Sequence, residues 1–280
     1  PASMIGKEDG ATPWARSWIC RAAPRRPCAM RCKCYKPRSK REVFGLAALR
    51  HEGVVQAKLR HDNIVRFLGG CVQPDNLCVL MEWCPTSLYQ MLQSAEAPLP
   101  LRRLLQLARE IALGIFYLHS CKPPVLHLDL KSANVLLDTN GRAKVCDFGL
   151  AHFKQESAGV MTSRMGSPLW TAPEVLKGEA RDEKADTYSY GVLLYEVMSR
   201  TVPYSGRDQC ELVVGVITKL LPRPELTADQ AAPWPPRLPE LMLRCYAEEP
   251  ADRPDFAGVL DELDRLGEEA AVVARDVRVV

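Results

Sequence analysis

The chain has 280 residues, enough for one large domain or two lobes with a core each. It is 47% hydrophobic and 25% charged with a formal net charge of +3, ordinary for a globular protein and too small to demand a polyanionic partner. No run approaches the roughly 18 apolar residues of a membrane span, and Pro1 to Gly10 carries charge early with no apolar stretch, so neither a span nor a secretory signal is expected.

Eleven cysteines are scattered along the chain, with only Cys28, Cys32 and Cys34 close together. Those spacings match no zinc ribbon or finger, so they read as free thiols in a reducing, cytoplasmic compartment. Arg16 to Arg41 holds ten basic residues and no acid. With no aromatic platform interleaved, this reads as a solvated basic face, and no nucleic acid is expected as partner.

Residues 1–40 are rich in Pro, Arg and Cys and show weak periodicity. From Arg41 to Leu59 the pattern is helical, with Val43, Leu46, Ala47 and Leu49 on one side. Residues 63–68 and 77–81 read as two strands, with Gly69-Gly70 and Pro74-Asp75-Asn76 as turns. After Pro85 helices dominate. Leu101, Leu104, Leu105, Ala108, Ile111, Ala112, Ile115 and Leu118 mark a five-turn amphipathic helix. Thr187 to Met198 is apolar nearly all round, as in a helix buried within a larger body. Further helices are expected near 208–220, 236–247 and 255–266, and the pattern from Gly267 on fits no one element. The overall reading is α+β: a small strand-rich lobe (1–81, with 1–40 divergent), a linker (82–87), a helical lobe (88–266) and a tail (267–280).

The chemistry concentrates between Val125 and Gly149. Val135–Leu137 and Ala143–Cys146 are strand-like, and Asn140-Gly141 between them is a strong hairpin signal in which both turn positions take positive φ. Closing that hairpin brings Asn134 and Asp147 together, with Asp129 and Lys131 just upstream. Convergent hard oxygens beside a lysine suit a magnesium ion with phosphate ligands.

This stretch resembles the catalytic and metal-binding loops of eukaryotic protein kinases. His127-Leu128-Asp129, Asn134, Asp147-Phe148-Gly149 and Ala172-Pro173-Glu174 keep the family's order and spacing, and the resemblance covers about residues 40–265. It implies the bilobal kinase fold, with ATP and Mg2+ as cofactors and a protein bearing a Ser or Thr acceptor as substrate. Asp129 would accept the proton of the substrate hydroxyl, Lys131 would neutralise the transferred phosphoryl group, and Asn134 and Asp147 would hold magnesium. Met81-Glu82-Trp83-Cys84-Pro85 resembles the hinge, where Glu82 and Cys84 backbone groups would pair with adenine and Met81 would guard the back pocket. Glu52 falls at the ion-pair glutamate of the regulatory helix. Its lysine partner aligns with Lys33, or with Arg31 if Cys28-Ala-Met-Arg is the matching run. Asp186 would anchor the catalytic-loop backbone, and Glu174 and Arg253 would form the family's buried ion pair. The hinge and Asp129-Leu-Lys-Ser-Ala-Asn134 resemble the tyrosine-kinase-like branch, which includes Raf and mixed-lineage kinases. Other stretches resemble Mos-like kinases, so a place in a mitogen-activated cascade is implied. Ser167 matches the small hydroxyl that touches the catalytic Asp and Lys in serine/threonine kinases.

Three positions depart from the family pattern. Gly6 and Gly10 flank Glu8-Asp9 where small residues should admit phosphate. The strand cation is Lys33 or Arg31, which are not equivalent at a tight site. Leu128 replaces the arginine that receives an activation-loop phosphate. The first two leave a second reading, a pseudokinase serving as a signalling scaffold or binding module. The third predicts that Thr162→Ala together with Ser163→Ala leaves activity within a few-fold of wild type, read as initial rate, because no guanidinium awaits a phosphate there.

Overall fold

The computed structural model describes residues 4–8, 16–20, 30–35, 53–71, 77–94, 99–153 and 167–276. The smaller lobe is built on a five-stranded antiparallel sheet of order β1-β2-β3-β5-β4. Its strands are β1 (Met4–Glu8), β2 (Arg16–Cys20), β3 (Met30–Tyr35), β4 (Phe67–Cys71) and β5 (Leu77–Glu82). The described part of helix α1 covers residues 53–58. Gly6, expected in a phosphate loop, is paired with Trp18 inside β1, while Gly10 lies outside the described residues.

One predicted strand moves. Residues 63–66 do not extend the sheet; they dock on the larger lobe, where Ile64 forms a parallel bridge with Val145. Val65 N–H donates to the Val145 carbonyl (2.9 Å) and Val145 N–H to the Asn63 carbonyl (2.8 Å). The Asn63 side chain donates to the Ala143 carbonyl at 2.9 Å. These bonds satisfy backbone groups that a sheet would otherwise have to satisfy. The strand starts later, at Phe67, and absorbs Gly69-Gly70, which were expected to turn. Gly70 lies so close to the neighbouring strand that a Cβ there would sit 2.9 Å from the Cys78 carbonyl oxygen, whereas one at Gly69 would meet nothing within 4 Å. Gly70→Ala should therefore cost about 1–3 kcal/mol, and Gly69→Ala far less. Paired urea melts of the two variants check this.

The larger lobe holds a short β6 (Thr86–Ser87), α2 (Leu88–Ser94), α3 (Leu101–Ser120), β7 (Val125–Leu126), β8 (Val135–Leu137), β9 (Ala143–Val145) and β10 (His152–Phe153). After these come α4 (Pro173–Leu176), α5 (Glu183–Ser199), α6 (Gln209–Ile217), α7 (Ala228–Ala231), α8 (Arg237–Cys245) and α9 (Phe256–Asp276). The apolar face predicted for α3 is the face it buries, from Leu104 to Leu118. Helix α5 is buried nearly all round, from Ala185 to Met198 apart from Tyr195. Asp182 caps its start by accepting from Lys184 N–H, and Arg200 in the left-handed region ends it. Two tyrosines of this core satisfy their hydroxyls on carbonyls, Tyr190 on Ala108 (3.0 Å) and Tyr246 on Pro224 (2.7 Å).

Helix α9 runs past Gly267 to Asp276. Ala270 packs on the core and Glu269 pairs with Arg237 at 2.6 Å, contacts that offset the roughly 1 kcal/mol glycine penalty within the helix. No helix among the described residues is long and apolar enough to cross a membrane.

Candidate active site

The β8–β9 hairpin pairs Val135 with Val145 and Leu137 with Ala143. Its turn differs from the expected one. Only Gly141 takes positive φ (+77°), and Asn140 does not. The reason is Asp138, whose carboxylate accepts from the N–H groups of Asn140 (2.8 Å) and Arg142 (2.9 Å) and so wraps the chain into a longer loop closed by glycine. At the open end, Cys146 N–H donates to the Asn134 carbonyl (2.9 Å), which places Asp147 beside Asn134.

The loop from His127 to Asp129 hangs on one buried carboxylate. Asp186, in the first turn of α5, is fully buried and accepts from His127 N–H and Leu128 N–H, each at 2.8 Å. His119 Nε2 donates to the same carboxylate at 2.8 Å. Burial alone would push the Asp186 carboxyl up, but the His119 hydrogen bond and the nearby His119 and His127 rings win, holding it below its ordinary value. These bonds hold Leu128 at φ +62°, a region that costs an L-residue about 1–2 kcal/mol. The Leu128 side chain is buried in the core of the larger lobe. His127 also bonds the Cys146 carbonyl through Nε2 (3.0 Å) and meets the Phe148 ring edge-on at 5.3 Å. The loop and the Asp147-Phe148-Gly149 segment are thereby fixed to each other.

Asp129 stands at the centre of the polar cluster. Its Oδ2 accepts from Lys131 Nζ (2.9 Å) and Asn134 Nδ2 (2.8 Å), and its Oδ1 accepts from Ser167 N–H (3.1 Å). Lys131 Nζ also donates to Ser167 Oγ at 2.5 Å. Asn134 gives both amide protons to Asp129, one to its carbonyl and one to its carboxylate, which leaves the Asn134 Oδ1 as its acceptor. Asp147 adopts φ +66°, and its Oδ1 accepts from Gly149 N–H at 3.4 Å.

On the opposite side, Met81 is buried, with Sδ 3.5 Å from the Gln56 side chain of α1. Glu82 ends β5. Its N–H donates to the Arg66 carbonyl, and its carboxylate accepts from Arg66 N–H (2.7 Å) and pairs with Lys144 of β9 at 3.0 Å. Cys84 is buried. In the β3–β5 ladder Lys33 faces Val79 and Arg31 faces Met81. Glu52 lies outside the described residues, as do Thr162 and Ser163.

Glu196 and Lys144 escaped the sequence reading. Glu196, on α5, is 2% exposed. It accepts from Ser132 Oγ (2.5 Å) and Trp170 Nε1 (3.1 Å). Burial pushes its carboxyl up, and those hydrogen bonds draw it part of the way back. An acid inside an otherwise apolar run was the signal that could have found it. Glu174 and Arg253 meet in a double hydrogen bond of 2.6 and 3.0 Å.

The family model described as protein tyrosine and serine/threonine kinase matches residues 23–263. The chain belongs to this family. The kinase domain is 39% identical over 222 residues to a probable serine/threonine-protein kinase of Dictyostelium discoideum, covering 79% of this chain and 23% of that one. It is 37% identical over 216 residues to the serine/threonine-protein kinase STY17 of Arabidopsis thaliana, covering 77% and 36%. A dual specificity protein kinase of Dictyostelium discoideum, shkA, is 36% identical over 225 residues, covering 79% and 42%. The chain thus spans less than half the length of each of these relatives.

Proposed function

We propose that this kinase domain transfers the γ-phosphoryl group of ATP to Ser and Thr hydroxyls of proteins. The observation that carries the reading is Lys131 Nζ held between Asp129 Oδ2 and Ser167 Oγ. A substrate hydroxyl entering beside Asp129 finds a carboxylate able to orient it and accept its proton. Lys131 lies within reach of the same point and offsets charge on the transferred group. Ser167 Oγ takes a second hydrogen bond from the lysine and so fixes the direction of its ammonium beside the aspartate.

The donor set fits a magnesium ion bound with ATP. Asn134 Oδ1 and the Asp147 carboxylate are hard oxygens carried at the open end of one hairpin, joined there by the Cys146 N–H to Asn134 carbonyl bond, and a metal held by them would supply charge neutralisation on the phosphates. Adenine would lie against the hinge at Glu82 and Cys84, in front of Met81, and Lys33, or Arg31 in its place, would be the strand cation for the phosphates, with Glu52 as its expected partner. The seven free cysteines among the described residues support a reducing, cytoplasmic setting. The names of the relatives support Ser/Thr transfer, and a place in a mitogen-activated cascade accords with the likeness to Raf and mixed-lineage kinases.

The test is the acceptor. Phosphorylated protein product is hydrolysed and its phosphoamino acids separated. Phosphoserine and phosphothreonine are expected to dominate; phosphotyrosine as the main product would overturn the assignment.

A further inference from the structure

The contacts around Glu196 close a ring. Its carboxylate accepts from Ser132 Oγ, the residue after Lys131, and from Trp170 Nε1, three residues after Ser167. The two arms meet again at the reacting cluster, where Lys131 Nζ donates to Ser167 Oγ and Ser167 N–H donates to Asp129. Further bonds stiffen the Trp170 arm. Ser189 Oγ of α5 donates to the Trp170 carbonyl (2.8 Å), and Thr171 Oγ1 donates to the Ser167 carbonyl (3.0 Å). Helix α5 is the most buried helix of the lobe, so it is a rigid base.

Such an arrangement is costly to maintain. Among the described residues no Lys, Arg or His pairs with the Glu196 side chain, so a carboxylate sits in the core on neutral donors alone, those of Ser132 and Trp170. A hydrophobic residue of similar size would spare that cost if packing were all that mattered. What the carboxylate does that such a residue cannot is accept two donors at once, one from each of two segments distant in sequence.

We propose that Glu196 is a positioning residue for phosphoryl transfer, holding Ser132 and Trp170 so that Lys131 and Ser167 stay in contact beside Asp129. The inference rests on the kinase reading above. Glu196 touches neither the nucleotide side at Met81–Cys84 nor the metal side at Asn134 and Asp147. Its loss therefore misplaces Lys131 and Ser167 without removing the ATP site, and misplacement by about 1 Å costs on the order of 100-fold in rate.

The experiment compares Glu196→Ala, Glu196→Gln, Ser132→Ala and Trp170→Phe with wild type. For each, kcat for protein phosphorylation, the dissociation constant for magnesium-ATP and the amide hydrogen exchange of residues 167–171 are measured. Glu196→Ala is expected to lower kcat roughly 10- to 100-fold, to leave magnesium-ATP affinity within about two-fold, and to speed exchange at 167–171. Glu196→Gln recovers part of the rate, because its carbonyl still accepts from Trp170 while its amide can donate to Ser132 Oγ, though it can no longer accept from the Ser132 N–H. Ser132→Ala and Trp170→Phe each remove one arm and give intermediate losses. A folded Glu196→Ala with kcat within two-fold of wild type overturns the proposal, as does a loss of ATP affinity in proportion to kcat. If Glu196→Ala does not fold, full activity in both single-arm variants overturns it instead. Wild type without transfer defeats the kinase reading, and exchange at 167–171 then still decides the clamp: unchanged exchange in all the variants overturns it.

Discussion

Asp129→Asn lowers kcat by about 10²–10⁴-fold while magnesium-ATP affinity stays near that of wild type. The geometry gives the reason. Asp129 uses Oδ2 for Lys131 and Asn134 and Oδ1 for Ser167 N–H, so both oxygens serve as acceptors. Asparagine keeps one acceptor oxygen and offers an amide in place of the other. If that oxygen stays with Lys131 and Asn134, the amide faces the Ser167 N–H, donor against donor. The variant therefore loses the proposed base and loosens the Ser167 contact together. Asn134 keeps its bond to the residue 129 carbonyl, and Asp147 and the Met81–Cys84 segment are carried by other elements, so the groups proposed to hold metal and nucleotide stay in place. Steady-state kinetics with a parallel nucleotide titration separate the two quantities. A fall in affinity matching the fall in kcat would show that Asp129 serves binding rather than transfer.

Arg253→Ala destabilises the domain by about 3–5 kcal/mol. Arg253 is 1% exposed and its guanidinium is fully engaged. Two nitrogens grip Glu174, and the same group donates to the carbonyls of Ala247 (2.8 Å), Lys184 (3.0 Å) and Glu248 (3.1 Å). It also lies over the Tyr188 ring, 5.0 Å from its centroid. Alanine leaves the Glu174 carboxylate buried without its counter-charge and takes a donor from each of three carbonyls. For a domain of this size the melting midpoint should fall by roughly 6–20 °C, read by calorimetry. Lysine at 253 should recover little, since a single ammonium cannot reproduce the two-pronged contact. A midpoint within 2–3 °C of wild type in the alanine variant would contradict this account of the pair.

Much of the candidate site's geometry is legible in the spacing of its residues. Asn134 and Asp147 must flank a hairpin to reach one point, so the strand–turn–strand pattern between them betrays the arrangement even before any family likeness is considered. The amphipathic α3 and the buried α5 were equally readable, since helical periodicity records which face meets the core. What was not legible depends on partners distant in sequence. Residues 63–66 look like a strand by composition, and only the presence of β9 across the lobe boundary diverts them. Gly69-Gly70 carries the signature of a turn, yet Gly70 is there because the neighbouring strand comes too close for a side chain. The turn at Asn140-Gly141 was read with the right glycine and the wrong loop, because the Asp138 carboxylate outcompetes the tighter turn. Glu196 was visible as an acid in an apolar helix, but the two donors that give it a role lie 64 and 26 residues away.

The lower half of the site is the part on which the proposed activity depends, and transfer itself tests it most directly. Labelled ATP is incubated with the wild-type chain and a generic Ser/Thr-rich protein, with magnesium in one arm and EDTA in the other. Time-dependent labelling of the protein is expected with magnesium and none with EDTA. A folded wild-type chain that labels no protein above the EDTA arm would contradict the proposed activity.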